Sequence, residues 1–316
     1  MRSTLRMVIG YLQAHLHEDF RWGYYLSAGG FLLISLLLNY YLIPGKTVEV
    51  WMVFKLYEQE RLMLAYMLFY GLPYGVSVVL YAAFHRRWDI FRQREFWLRS
   101  LFILAVLSFD AGFYYLRLLL RDMDGPTLYV MRKYASNLSS ALSAFIPLLL
   151  FYLWRDRQEG SFYGLRLQRD DLRPYLWLLL AMVPVVAGAS FTEGFQDYYP
   201  SLKPERAARW DGLPLWATMA IFEFVYAFDF IWTELLFRGF MVIGMVRVLG
   251  TGAVLPMAAV YCYRHFAKPF GEAASSIIGG YILGVMALHS RHIMGGILIH
   301  VGIALLMEFF AILHRL

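Results

Sequence analysis

Residues 230–240 read FIWTELLFRGF, a carboxylate and a guanidinium four positions apart inside an apolar run. A soluble domain carries about 25% charged residues and 45–50% apolar ones. This chain of 316 residues is 16% charged and 60% hydrophobic, with a mean hydropathy of +0.52. That balance places the stretch in a membrane, where a hydrocarbon core about 30 Å thick takes roughly 20 apolar residues per helical span. Apolar runs recur at 24–43, 62–84, 101–120, 136–154, 175–193, 213–232, 239–266 (broken by a turn), 273–289 and 293–313. The chain therefore reads as an all-α, multi-pass transmembrane helix bundle of about 8–9 spans.

The formal charge of +6 does not indicate nucleic acid, because the basic residues collect in short loops between apolar runs. Arg86, Arg87, Arg92, Arg94 and Arg99 form one cluster, and Arg155, Arg157, Arg166, Arg169 and Arg173 another. Short loops rich in Lys and Arg stay cytoplasmic, and two spans separate these clusters. Both then lie on the cytoplasmic side, as does the N-terminus. Residues 1–22 have Leu5, Val8, Ile9, Leu12 and Leu16 at helical spacing, interrupted by Arg2, Arg6, His15 and Glu18. That pattern fits an amphipathic helix on the membrane surface rather than a signal peptide. Four parts follow: the surface helix 1–22, an N-terminal membrane block 23–193, an extramembrane loop 194–213 and a C-terminal membrane core 214–316. The lone Cys262 excludes a disulfide framework and reads as a small buried hydrophobe.

Ionisable groups within spans face the bundle interior or a water-filled cavity. In the first block these are Asp110 and Arg117, with Asn39 as a polar companion and Glu193 at the end of the fifth span. Asp110 suits a pairing with an Arg of a neighbouring helix. In the core they are Glu234, Arg238, His265 and His300. Glu234 and Arg238, at i and i+4, share one helix face. The turn GTG at 250–252 separates two antiparallel helices. Glu234 lies about 24 Å before it and His265 about 20 Å after it, at 1.5 Å per residue, so the two reach nearly the same depth. His300 lies nine residues past Arg291, within the last span.

The segments TELLFRG, YCYRH and GGILIH resemble, in that order, the three motifs of the CPBP or Abi family. These are intramembrane endopeptidases related to the prenyl-protein (CAAX) protease, with the pattern EExxxR, FxxxH and HxxxN. The resemblance covers about 214–313 and implies a site built from Glu234, Arg238, His265 and His300, with a membrane polypeptide as substrate in a bacterial inner membrane. It implies a glutamate-activated water, so no metal and no other cofactor is expected. Thr233 occupies the position of the family's water-activating Glu, and Ala304 that of the Asn thought to stabilise the oxyanion. Asp229, one turn before Thr233 and on its face, is the candidate substitute base, and Glu223 points in nearly the same direction. A general base contributes about 10²–10⁴-fold and one oxyanion donor about 10²–10³-fold. The resemblance therefore implies an endopeptidase with weak or lost activity, or a non-catalytic subunit of the same fold that binds another membrane protein. A transporter is the third class, but the paired discontinuous helices it would use are not evident.

Overall fold

The computed structural model describes residues 2–45, 47–56, 59–113, 119–123, 125–166 and 172–315. Among them the chain is all helical, apart from one isolated bridge between Phe162 and Leu165. Arg117 and Arg169 lie outside the described residues. The helices run α1 Arg2–Asp19, α2 Trp22–Tyr41, α3 Val48–Lys55, α4 Gln59–His85, α5 Arg94–Ala111 and α6 Gly125–Leu138. The last continues through a wide π turn at Ala141–Phe145 into α7 Ile146–Phe151. Then follow α8 Arg173–Ala189 and two short loop helices, α9 Glu193–Tyr198 and α10 Pro204–Ala207. The core comprises α11 Leu215–Glu234, a π-helical continuation Leu235–Gly244, α12 Val246–Leu249, α13 Val254–Arg264, α14 Phe270–Ser290 and α15 Met294–Leu313.

Among the described residues six helical stretches are long and apolar enough to cross a membrane: 22–41, 61–85, 125–159, 215–264, 270–290 and 294–313. This is the arrangement of a multi-pass membrane protein. Two of the expected intervals fall on helices outside that set. Arg173–Ala189 is apolar but only 17 residues long, and Arg94–Ala111 carries Arg94, Glu95, Arg99 and Asp110 within 18 residues.

The stretch 215–264 would extend about 75 Å as one straight helix, more than twice a bilayer core. Gly250 breaks it, with φ 59° and ψ −135°, a conformation open to glycine and hardly to other residues. The chain then folds back, so that the Arg238 guanidinium lies 4.2 Å from the centre of the Tyr261 ring. The most apolar window of this hairpin is 72% buried, against 28 to 44% in the other five. The hairpin is the core around which the other spans stand.

The N-terminal helices pin the core through buried polar contacts. Arg99 was expected in a loop, but it is 1% exposed within α5. Its guanidinium donates to Asp156 Oδ2 at 2.9 Å, to Glu95 Oε1 at 2.7 Å and to the Gly244 carbonyl at 3.0 Å. A buried arginine survives because every charge about it is matched. Arg155 reaches Glu95 at 2.9 Å, so the two basic clusters share one end of the bundle. Asn39, 1% exposed, donates to the Phe266 carbonyl at 2.9 Å and accepts from Val48 N at 3.1 Å. That clip fixes the bend after α13, on which His265 sits.

Asp110 accepts from Ser143 Oγ at 2.5 Å and stands 3.9 Å from Arg264 NH2, a pairing across helices. Glu193 does not end the fifth span: α8 stops at Ala189 and Glu193 is exposed in the first turn of α9. Cys262 is fully buried, 3.5 Å from the Ala273 carbonyl. Helix α1 does more than lie on a surface. It buries Val8, His15 and Asp19, and Tyr25 donates to Asp19 at 2.9 Å. The His15 ring meets Tyr281 of α14 edge-on, with centroids 5.6 Å apart.

Candidate functional site

Glu234 is the last residue of α11, and Arg238 follows one turn later in the π-helical segment. Both side chains are at most 1% exposed, and Arg238 NH1 donates to Glu234 Oε1 at 2.9 Å. The same oxygen lies 3.0 Å from His300 Nδ1 on α15. A carboxylate accepts, so Nδ1 carries the proton, and His300 Nε2 then accepts from Tyr261 OH at 3.1 Å. Phe230 covers the imidazole, with ring centroids 4.3 Å apart. The Arg238 guanidinium lies on the Tyr261 face, a cation–π contact in a desolvated setting. Gly296 makes this approach possible: a Cβ there would come within 2.2 Å of Glu234 Oε2.

Tyr261, Arg238, Glu234 and His300 thus form one buried network on three helices, in which Glu234 Oε2 and Arg238 Nε and NH2 have no hydrogen-bond partner among the described residues. Both nitrogens of His300 and one oxygen of Glu234 are committed within it. Removing one member of a buried ionic group is strongly destabilising, even where the group as a whole adds little net stability. The arrangement can orient α15 against the hairpin.

His265 ends α13 on the other side of Tyr261, with ring centroids 4.5 Å apart. Its Nδ1 donates to the Tyr261 carbonyl at 2.9 Å, which leaves the Nε2 lone pair as the acceptor. Burial, and after it the Lys268 ammonium, hold this imidazole well below its ordinary range, so it is neutral at pH 7. Among the described residues no hydrogen bond or ion pair joins His265 to Glu234 or to Asp229. The carboxylate that faces it is Glu272 of α14, with Oε1 4.0 Å from Nε2. Glu272 is itself held by Lys268 Nζ at 2.6 Å and Tyr199 OH at 2.8 Å.

The polar and charged neighbours of Asp229 are Asp110, Ser140, Arg264 and Lys268, and it shares the last two with His265. Glu223 has Glu308 as its charged neighbour and no hydrogen bond on either oxygen among the described residues. Thr233 is half-buried beside Glu234, and Ala304, 3% exposed, presents a methyl group one turn beyond His300. Arg264 keeps 40% of its side chain exposed, Lys268 22% and Glu272 15%, although neighbouring helices surround them. Three partly exposed charged side chains thus stand beside His265, which is itself buried.

The pair Lys268 and Glu272 was not singled out from the sequence, yet it carries the signal that marked Glu234 and Arg238: opposite charges at i and i+4. Its place at the start of a span, after Pro269, gave it the look of an ordinary polar junction. Among the described residues no three His, Cys, Asp or Glu side chains converge as a metal site would need. Comparison of the chain with family models, with curated proteins and with solved structures gives no match.

Proposed function

We propose that the chain is a CPBP-like intramembrane endopeptidase whose catalytic set is incomplete. It holds a membrane polypeptide beside His265, at the partly exposed Arg264, Lys268 and Glu272, and hydrolyses it weakly or not at all. In this reading the bundle has eight or nine spans in a bacterial inner membrane, with the N-terminus and both arginine clusters on the cytoplasmic side. The observation that carries the reading is how the carboxylates divide. Glu234 is engaged by Arg238 and His300 and makes no bond to His265. Thr233 brings no carboxylate, and Asp229, with Asp110, Ser140, Arg264 and Lys268 about it, makes no hydrogen bond or ion pair to His265 among the described residues.

Among the described residues the carboxylate within ion-pair distance of His265 Nε2 is Glu272, at 4.0 Å, and a water would be activated between these two. Glu272 is a poor base there, since an ammonium and a phenol already share its charge. Ala304 offers no donor to an oxyanion. The same observation favours the second reading, a non-catalytic subunit that binds another membrane protein.

Purification of the tagged chain from its native membranes in a mild detergent, followed by a peptide-turnover assay, tests this. A co-purifying membrane polypeptide with trace turnover is expected. A chain that purifies alone and turns peptide over at ordinary enzyme rates, about 1–10³ s⁻¹, overturns it.

A further inference from the structure

A second site lies away from the hairpin, at the end of the bundle where α6 and α11 begin and α15 ends. There a cavity of about 240 Å³, open to solvent, is lined by Tyr129, Lys133, Tyr198, Ser201, Lys203 and Arg206. Its walls are fixed. Tyr129 OH accepts from Lys203 N at 2.8 Å, and the Arg206 guanidinium lies 3.9 Å from the Tyr129 ring centre. Lys203 Nζ spends two of its three donors on the carbonyls of Asp197 at 2.8 Å and Tyr199 at 3.1 Å. Among the described residues, Lys133 Nζ and the Arg206 guanidinium make no hydrogen bond and no ion pair within 4.0 Å.

The charge is not balanced. Lys133 and Lys203 both have near them the buried carboxylate of Glu308, which is 2% exposed and already accepts from Ser201 N at 2.9 and 3.1 Å, and Lys203 has the Glu205 and Asp197 carboxylates as well. Arg132 adds to the positive surroundings, and Arg315 does too, though it is paired with Glu205. Burial, and after it Arg315, lower the Lys203 pKa, as crowding among cations requires. Such a group of open N–H donors with surplus positive charge matches an anion with several acceptor oxygens.

Position narrows the source. Phe191, 74% exposed, and Trp216, 76% exposed, stand at the span ends on either side of the loop, as aromatic side chains do at a membrane–water boundary. We infer that this cavity binds a phosphate group, supplied by the headgroup of an anionic phospholipid or by free phosphate. Arg206 and Lys133 are the charge-assisted donors, and Ser201 the neutral one. The inference does not rest on the peptidase-like reading.

The test uses the full chain in nanodiscs of phosphatidylcholine, with and without phosphatidylglycerol, released into native mass spectrometry. Titration of the detergent-solubilised chain with inorganic phosphate is the second arm. Retained phosphatidylglycerol that falls with added salt in the wild type, and falls at least roughly tenfold in Lys133→Gln/Arg206→Gln, supports the site with a lipid source. Saturable phosphate binding without retained lipid, lost in the same variant, supports it with a free-phosphate source. Arg206→Lys, which keeps the charge and loses the planar fork, should bind between the two. Retention of phosphatidylcholine equal to that of phosphatidylglycerol with no phosphate saturation overturns the inference. So does retention that salt and the substitutions leave unchanged. The wild-type salt series decides the matter even if the double variant fails to fold.

Discussion

Replacing Gly296 by alanine puts a methyl group where the Glu234 carboxylate lies. The new Cβ would sit 2.2 Å from Glu234 Oε2 and 3.1 Å from its carboxyl carbon. Either the carboxylate turns or α15 withdraws, and both responses stretch the 2.9 Å bond to Arg238 and the 3.0 Å contact with His300. Overpacking alone costs about 1–3 kcal/mol, and breaking a buried ion pair about 3–5 kcal/mol. Alanine returns about 1 kcal/mol through its helix propensity. A net loss of about 3–7 kcal/mol is expected when both occur, which lowers the melting temperature by roughly 5–11 °C for a chain of this length. Melting curves of the detergent-solubilised chain, followed by tryptophan fluorescence, measure it. Gly279→Ala on α14 is the control, since a Cβ there meets nothing within 4 Å and the curve should hold or rise. If both alanine variants melt together with the wild type, Glu234 is not packed against α15 and the network is wrong.

Other expectations concern the same contacts and the N-terminal helix. Tyr261→Phe deletes the donor to His300 Nε2 while keeping the ring under Arg238, so a loss of about 1 kcal/mol is expected in the same melting assay. Glu272→Gln should abolish whatever trace of hydrolysis the wild type shows, and Asp229→Asn should leave it intact; end-point peptide analysis by mass spectrometry separates the two. Burial, and after it His289, push His15 down to about 4, whereas an unfolded His titrates near 6.5. Docking of α1 is therefore at full strength above about pH 6.5 and weakens as pH falls towards 4, by about 3 kcal/mol at most. Asp19, raised by burial, opposes part of this. Amide exchange across residues 6–19, corrected for intrinsic rates, should show the loosening, and His15→Phe should flatten it.

Much of the helix layout was legible because membrane spans obey a length rule that apolar runs reveal directly. The depth argument for Glu234 and His265 used only helix rise and the GTG turn, and it brought the two to opposite sides of Tyr261. What it lacked was direction. Rise per residue gives depth, but the π-helical widening from Leu235 to Gly244 changes which way side chains face. No spacing rule anticipates that Glu234 turns to His300 while His265 turns to Glu272. Arg99 was misread for a related reason. Counted with its neighbours it belongs to a basic loop, and only the distant Asp156 and the Gly244 carbonyl make its burial tolerable. Long-range partners of that kind leave no local trace. Tyr129, Lys133 and Arg206 are likewise ordinary apart, and the fold alone gathers them.

The central claim, a kept framework with a missing base, is tested most directly by turnover of a membrane-anchored peptide in proteoliposomes. The wild type is compared there with Thr233→Glu/Ala304→Asn. Trace or no turnover by the wild type, and a gain of about 10²-fold or more in the double variant, is the predicted result. Robust wild-type turnover that survives Glu272→Gln and does not rise in the double variant would contradict it.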